Sequence, residues 1–121
     1  GAEVRGALAT ADSPRGRVEA IVRASFGPAS FRREAVAAWL NFYVLAQSMP
    51  EARRLLSVYH RRLRSNLVHG LRPLVGPRAG EVAEGLGALI DGVHLRQALS
   101  VAPPDRRAAT SLVLAHLERA L

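Results

Sequence analysis

The chain has 121 residues, the size of one domain, and 49% of them are apolar, enough to bury a core and too many for a disordered tail. No apolar run approaches the ~18 residues of a membrane span. Nothing resembles a secretory signal, and no cysteine is present to supply disulfide or thiolate chemistry. The formal charge of +7 comes from arginine against ten acids, with no lysine at all, and bears on solubility and steering and not on fold.

No stretch alternates apolar and polar residues as a half-buried strand does, so an all-α fold of about five helices is expected. Residues 2–10 read as the tail of a helix, too short to fold alone. Ser13-Pro14 combines an N-cap with proline at the first helical position, and Gly27-Pro28 stops that helix near Phe26. A second helix is expected from about Phe31 to Gln47. It is apolar nearly all round, as a helix in the middle of a domain is, and Trp39, Phe42, Tyr43 and Ala46 line one face of it.

Ser48 and Glu51 have the spacing of a capping box and open a third helix running to about Val75. Leu55, Leu56, Tyr59, Leu63, Leu67 and Leu74 lie on one side of it, with Arg53, Arg54, Arg61, Arg62 and Arg64 on the other. Asn66 falls inside the apolar sector, where an amide needs partners. Pro73, Gly76 and Pro77 close this helix. A fourth follows from about Ala79 to Ser100, and a fifth from about Pro104 to Ala120.

The fourth helix is the most informative. At ~100° per residue, Val82, Leu86, Leu89, Ile90 and Val93 form one apolar face, and Gly85, Ala88, Gly92, Leu95 and Leu99 form a second. One stripe suffices to dock a helix on its own domain. The second, with glycines that admit a close backbone, predicts a homodimer, joined by Val113, Leu114, Leu117 and Leu121 of the last helix. The alternative is a helix buried on both sides within one monomer.

Enzyme chemistry finds no support in the residues. His60, His69, His94 and His116 have no metal-ligand spacing, the glycines of GLGALIDG sit mid-helix and not in a phosphate loop, and no nucleophile elbow or carboxylate pair stands out. The Arg53–Arg64 face carries no interleaved aromatics of the kind a single-strand platform uses, and reads as a solvated face. The aromatic face of the second helix suits a cation, or is plain core.

Three segments together resemble a known family: Ala38-Trp39-Leu40-Asn41-Phe42, then Arg61-Arg62-Leu63-Arg64-Ser65-Asn66-Leu67, then the run from Gly85 to Ser100. They are similar to the C-terminal domain of TetR-family transcriptional regulators, in the BetI-type branch that represses choline-to-glycine-betaine genes. The resemblance covers about residues 17–121, and its long third segment is the specific one. It implies an all-α bacterial cytoplasmic homodimer. The last two helices form a four-helix bundle with the partner, a ligand pocket lies in the domain, and DNA is bound through a separate N-terminal helix-turn-helix domain.

On this reading residues 1–12 end the helix linking the two domains. Residues 13–121 are the effector-binding and dimerisation domain, and the helix-turn-helix is expected to be absent from the chain. Tyr43 and His94 stand where the BetI-type pattern carries tryptophan. The ligand-binding candidates are Trp39, Phe42, Tyr43, His60, Asn66 and His94. Asp91, ~60° round its helix from His94, is a secondary one. The expected effector is choline or another cation, with no cofactor and no metal. A stand-alone helical dimerisation module that binds a protein partner is the alternative.

Overall fold

A computed structural model describes residues 13–28 and 32–121, so the expected end of a linking helix at residues 1–12 lies outside the described residues. The described residues form five α-helices and no strand: α1 Pro14–Ser25, α2 Arg33–Ala46, α3 Pro50–Val75, α4 Ala79–Leu99 and α5 Arg106–Ala120, with a 3-10 turn Gly76–Arg78 between α3 and α4.

The helix ends follow local chemistry, with two corrections. The Ser13 hydroxyl accepts from Gly16 N at 3.0 Å and starts α1. Gly76 ends α3 with φ 59°, a conformation open to glycine and costly for other residues. The capping box at Ser48 is not formed. Met49 occupies the cap of α3 without a side-chain bond. Arg53 instead ties the helix start to the end of α2, donating from Nε to Ala46 O at 3.1 Å and from Nη2 to Gln47 O at 2.8 Å. The last helix begins at Arg106 and not Pro104, because the Asp105 carboxylate accepts from Ala108 N at 3.0 Å.

α3 and α4 lie antiparallel and form the centre. The register is visible in two cross-pairs, Arg64 with Glu84 at 3.5 Å and His60 with Asp91 at 2.9 Å. α1 packs on α3 and α5, α5 packs on α4, and α2 covers part of both central helices. Gly70 of α3 makes the α1–α3 approach possible, since a Cβ there would sit 2.8 Å from Val18 Cγ2. The core is built from Val18, Ile21, Val22 and Phe26, from Leu63, Leu67 and Leu71, and from Leu86, Ile90 and Val93.

α2 is not the central helix that its apolar composition predicted. It buries only Val36 and Ala46 fully, and leaves Ala37, Ala38, Val44 and Leu45 exposed. Composition measures how much apolar surface a helix carries, whereas neighbours decide how much of it is covered. Leu55, placed on the apolar side of α3, is likewise exposed.

The two faces of α4 separate as the periodicity indicates. Ala79, Ala83, Leu86, Ile90 and Val93 enter the core. On the other face Gly85, Ala88, Leu95 and Leu99 are exposed and Gly92 is half-buried. A Cβ built on Gly85 or Gly92 meets nothing within 4 Å, so no element among the described residues covers these glycines. The contribution of α5 needs correction. Val113 and Leu117 are 0% and 1% exposed, packed into their own core, and have no surface to offer a partner. Leu114 is half-buried, Leu121 is exposed, and the large apolar residue that the last helix turns outward is Leu112.

Candidate effector site

α2, α3 and α4 meet around one carboxylate. Asp91 of α4 accepts from the Tyr43 hydroxyl of α2 at 3.1 Å through Oδ1. Its Oδ2 lies 2.9 Å from His60 Nε2 of α3, close enough for an ion pair yet not aligned as a hydrogen bond. The aromatic rings continue from this node. Trp39 lies 5.0 Å from Tyr59, 5.8 Å from Tyr43 and 5.9 Å from Phe42, the last edge to face, and Tyr59 lies 5.5 Å from His60. These are the separations at which ring quadrupoles favour offset and T-shaped contact.

The electrostatics follow from partial burial beside a negative charge. Burial foremost, then the charge of Asp91, pushes the Tyr59 phenol up to about 12. The same causes in the same order, with the hydrogen bond to Asp91 added, raise the Tyr43 phenol further. Both phenols therefore stay neutral around a half-buried carboxylate. The group offers ring faces and one anion, the chemistry that attracts a cation.

Beside this node, α3 and α4 enclose an open cleft of about 470 Å³. His60 and Asp91 form part of its wall, with Ser57, Arg61 and Arg64 on α3 and Gly87 and Ala88 on α4. The small residues of α4 leave the space, and a Cβ on Gly87 would meet nothing within 4 Å.

Of the expected ligand residues, Trp39, Phe42, Tyr43, His60 and Asp91 come together. His94 does not join them. It turns instead toward the end of α1, is 6% exposed, stacks on Phe26 at 5.2 Å, and places Nε2 3.0 Å from Ser25 O. A carbonyl oxygen only accepts, so His94 donates from Nε2 and caps the end of α1. Desolvation lowers its pKa, outweighing the carbonyl bond and the charge of Asp91, so the ring is neutral. Arg106 assists, donating to Phe26 O at 2.8 Å. His94 is thus a structural residue in place of the expected ligand contact. Asn66, half-buried two turns beyond Tyr59 on α3, also lies outside the aromatic group and the cleft.

Tyr59 was missed, because it shares the stripe of Leu63 and Leu67 and reads as core. Its signal was adjacency to His60. Among the described residues no three His, Cys, Asp or Glu side chains gather as a metal site would need. No helix among them is long and apolar enough to cross a membrane.

The fold is shared with a solved structure. A crystal structure from Pseudomonas aeruginosa PAO1, of a protein assigned as a transcriptional regulator, matches 97% of this chain and 60% of that one, with a TM-score of 0.76 and 28% identity. The fold is therefore that of part of a transcriptional regulator. Residues 14–121 match the model of the BetI-type transcriptional repressor, C-terminal, and the chain belongs to that family. The HTH-type transcriptional regulator BetI of Brucella canis is 45% identical over 114 residues, covering 93% of this chain and 58% of the relative. BetI of Rhizobium meliloti is 49% identical over 116 residues, covering 92% and 57%. The chain thus spans somewhat more than half the length of the curated relatives it matches.

Proposed function

We propose that this chain is the effector-binding and dimerisation domain of a TetR-family repressor of the BetI type. A small organic cation, choline or a relative, is the effector. It lies beside Asp91 against the rings of Trp39, Tyr43 and Tyr59. A second copy of the chain packs on the outer face of α4, at Gly85, Ala88, Gly92, Leu95 and Leu99, with the exposed Leu112 of α5 and Leu121 just beyond its end. DNA is bound by the helix-turn-helix of the full-length regulator, and the effector changes operator affinity by favouring one arrangement of the paired domains.

One observation carries this reading. α4 holds Asp91 in the aromatic node and presents an uncovered stripe of glycine, alanine and leucine. A ligand that moves Asp91 moves the helix that faces the second copy. The names of the relatives, regulators and not enzymes, point the same way.

Titration calorimetry with choline, glycine betaine and tetramethylammonium tests the effector site, and sedimentation velocity tests the dimer. Saturable binding of at least one cation is expected, weakened in Trp39→Ala by about 0.5–2 kcal/mol with the dimer intact. A dimer that binds none of them would leave the reading of a dimerisation module with a protein partner. A monomer at micromolar concentration would remove the dimer.

A further inference from the structure

A second cleft lies on the other side of the molecule, between α1 and α5, with a volume of about 460 Å³. Its walls are Arg23 of α1 and Arg106, Arg107, Thr110, Ser111 and Leu114 of α5. Three guanidinium groups and two hydroxyls line it, with no carboxylate among the described residues of its walls. The contrast with the effector cleft is sharp. There Arg64 pairs with Glu84, Arg53 is held by two carbonyls, and Asp91 and Glu84 are themselves in the wall.

In the α1–α5 cleft none of the three arginines forms an ion pair among the described residues. Arg23 and Arg107 have neither hydrogen-bond nor ion-pair partner among the described residues. Arg106 is held in place: its Nε donates to Phe26 O at 2.8 Å, which leaves the terminal nitrogens available. The nearest acid on each helix is engaged elsewhere, Glu19 with Arg15 at 3.2 Å and Asp105 in capping α5 through Ala108 N. Arg106 and Thr110, and Arg107 and Ser111, are each one helical turn apart, so each guanidinium has a hydroxyl beside it on the same face.

We propose that this cleft binds a small phosphate-bearing anion, which bridges α1 and α5. The guanidinium fork matches the oxygens of a phosphate group two at a time, and the hydroxyls of Thr110 and Ser111 donate to those remaining. Like charges gathered in one cleft repel, and a dianion turns that repulsion into attraction. The ligand is either free phosphate or a phosphomonoester. The site is separate from the aromatic node, so both can be filled at once.

The test is thermal unfolding and titration calorimetry of the chain at constant ionic strength, with inorganic phosphate, glycerol phosphate or chloride as the varied anion. Phosphate or glycerol phosphate is expected to raise Tm saturably and chloride to leave it unchanged. The tighter of the two identifies the source. The double variant R23Q/R107Q, altered only at exposed positions, is expected to fold and to bind about tenfold more weakly or worse, the loss that follows from removing charge-assisted bonds of ~1.5 kcal/mol or more. R23K/R107K retains the charge but lacks the fork, and is expected to fall between. An equal Tm gain with chloride, an unsaturable response, or a gain that persists in R23Q/R107Q overturns the proposal.

Discussion

Gly85→Ala with Gly92→Ala separates what α4 does alone from what it does in an assembly. Glycine inside a helix costs ~0.8–1.0 kcal/mol relative to alanine, so the pair costs roughly 2 kcal/mol. Nothing among the described residues offsets that cost, since a methyl at either position meets no atom of theirs within 4 Å. An isolated monomer should therefore gain roughly 2 kcal/mol on the double substitution. If the backbone of a second copy comes against this face, the two methyls hold it off, and overpacking of ~1–3 kcal/mol weakens the dimer. Urea unfolding across a range of protein concentration, with sedimentation velocity beside it, distinguishes the cases, because a dimer's stability depends on protomer concentration. The expected result is a weaker dimer whose dissociated chain is more stable than wild type. Unchanged dimer affinity together with the full gain would refute the idea that the glycines serve a close approach.

Three further outcomes follow from the packing and the electrostatics. Gly70→Ala should destabilise the chain by up to ~2 kcal/mol, because overpacking of ~1–3 kcal/mol against buried Val18 outweighs a helix-propensity gain of ~1 kcal/mol; the urea midpoint reports it. His94 has a lowered pKa in the folded chain through desolvation, so below the ordinary imidazole value of ~6.5 the unfolded chain binds the extra proton. Stability should therefore be full above that value and fall as pH drops below it, with a shallower slope in His94→Gln. The chain's two tyrosines both have raised pKa values, from burial first and the charge of Asp91 second. Absorbance at 295 nm should stay flat through pH ~10, where the unfolded chain titrates, and stability should decline above that pH, as the unfolded state releases protons that the folded state retains. Phenol ionisation in the folded chain near pH 10 would contradict the packing of both rings.

Much of the fold is written in short-range chemistry. Ser13-Pro14, Gly27-Pro28 and Gly76-Pro77 mark helix ends because caps and breakers act over a few residues, and each end falls where they stand. The two faces of α4 were also legible, since a 3.6-residue period needs no knowledge of neighbours. What a face meets was not legible. Asp91 and His94 are ~60° apart on one helix, yet one enters an aromatic node with α2 and α3 while the other caps α1. That division is set by how α1, α2 and α3 cross α4, a relation between segments distant in sequence. The same holds for α2, whose composition described a buried helix and whose position left half of it in solvent, and for Val113 and Leu117, apolar residues claimed by their own core. Periodicity gives the azimuth of a side chain about its own helix, and only the tertiary packing decides which neighbour stands at that azimuth.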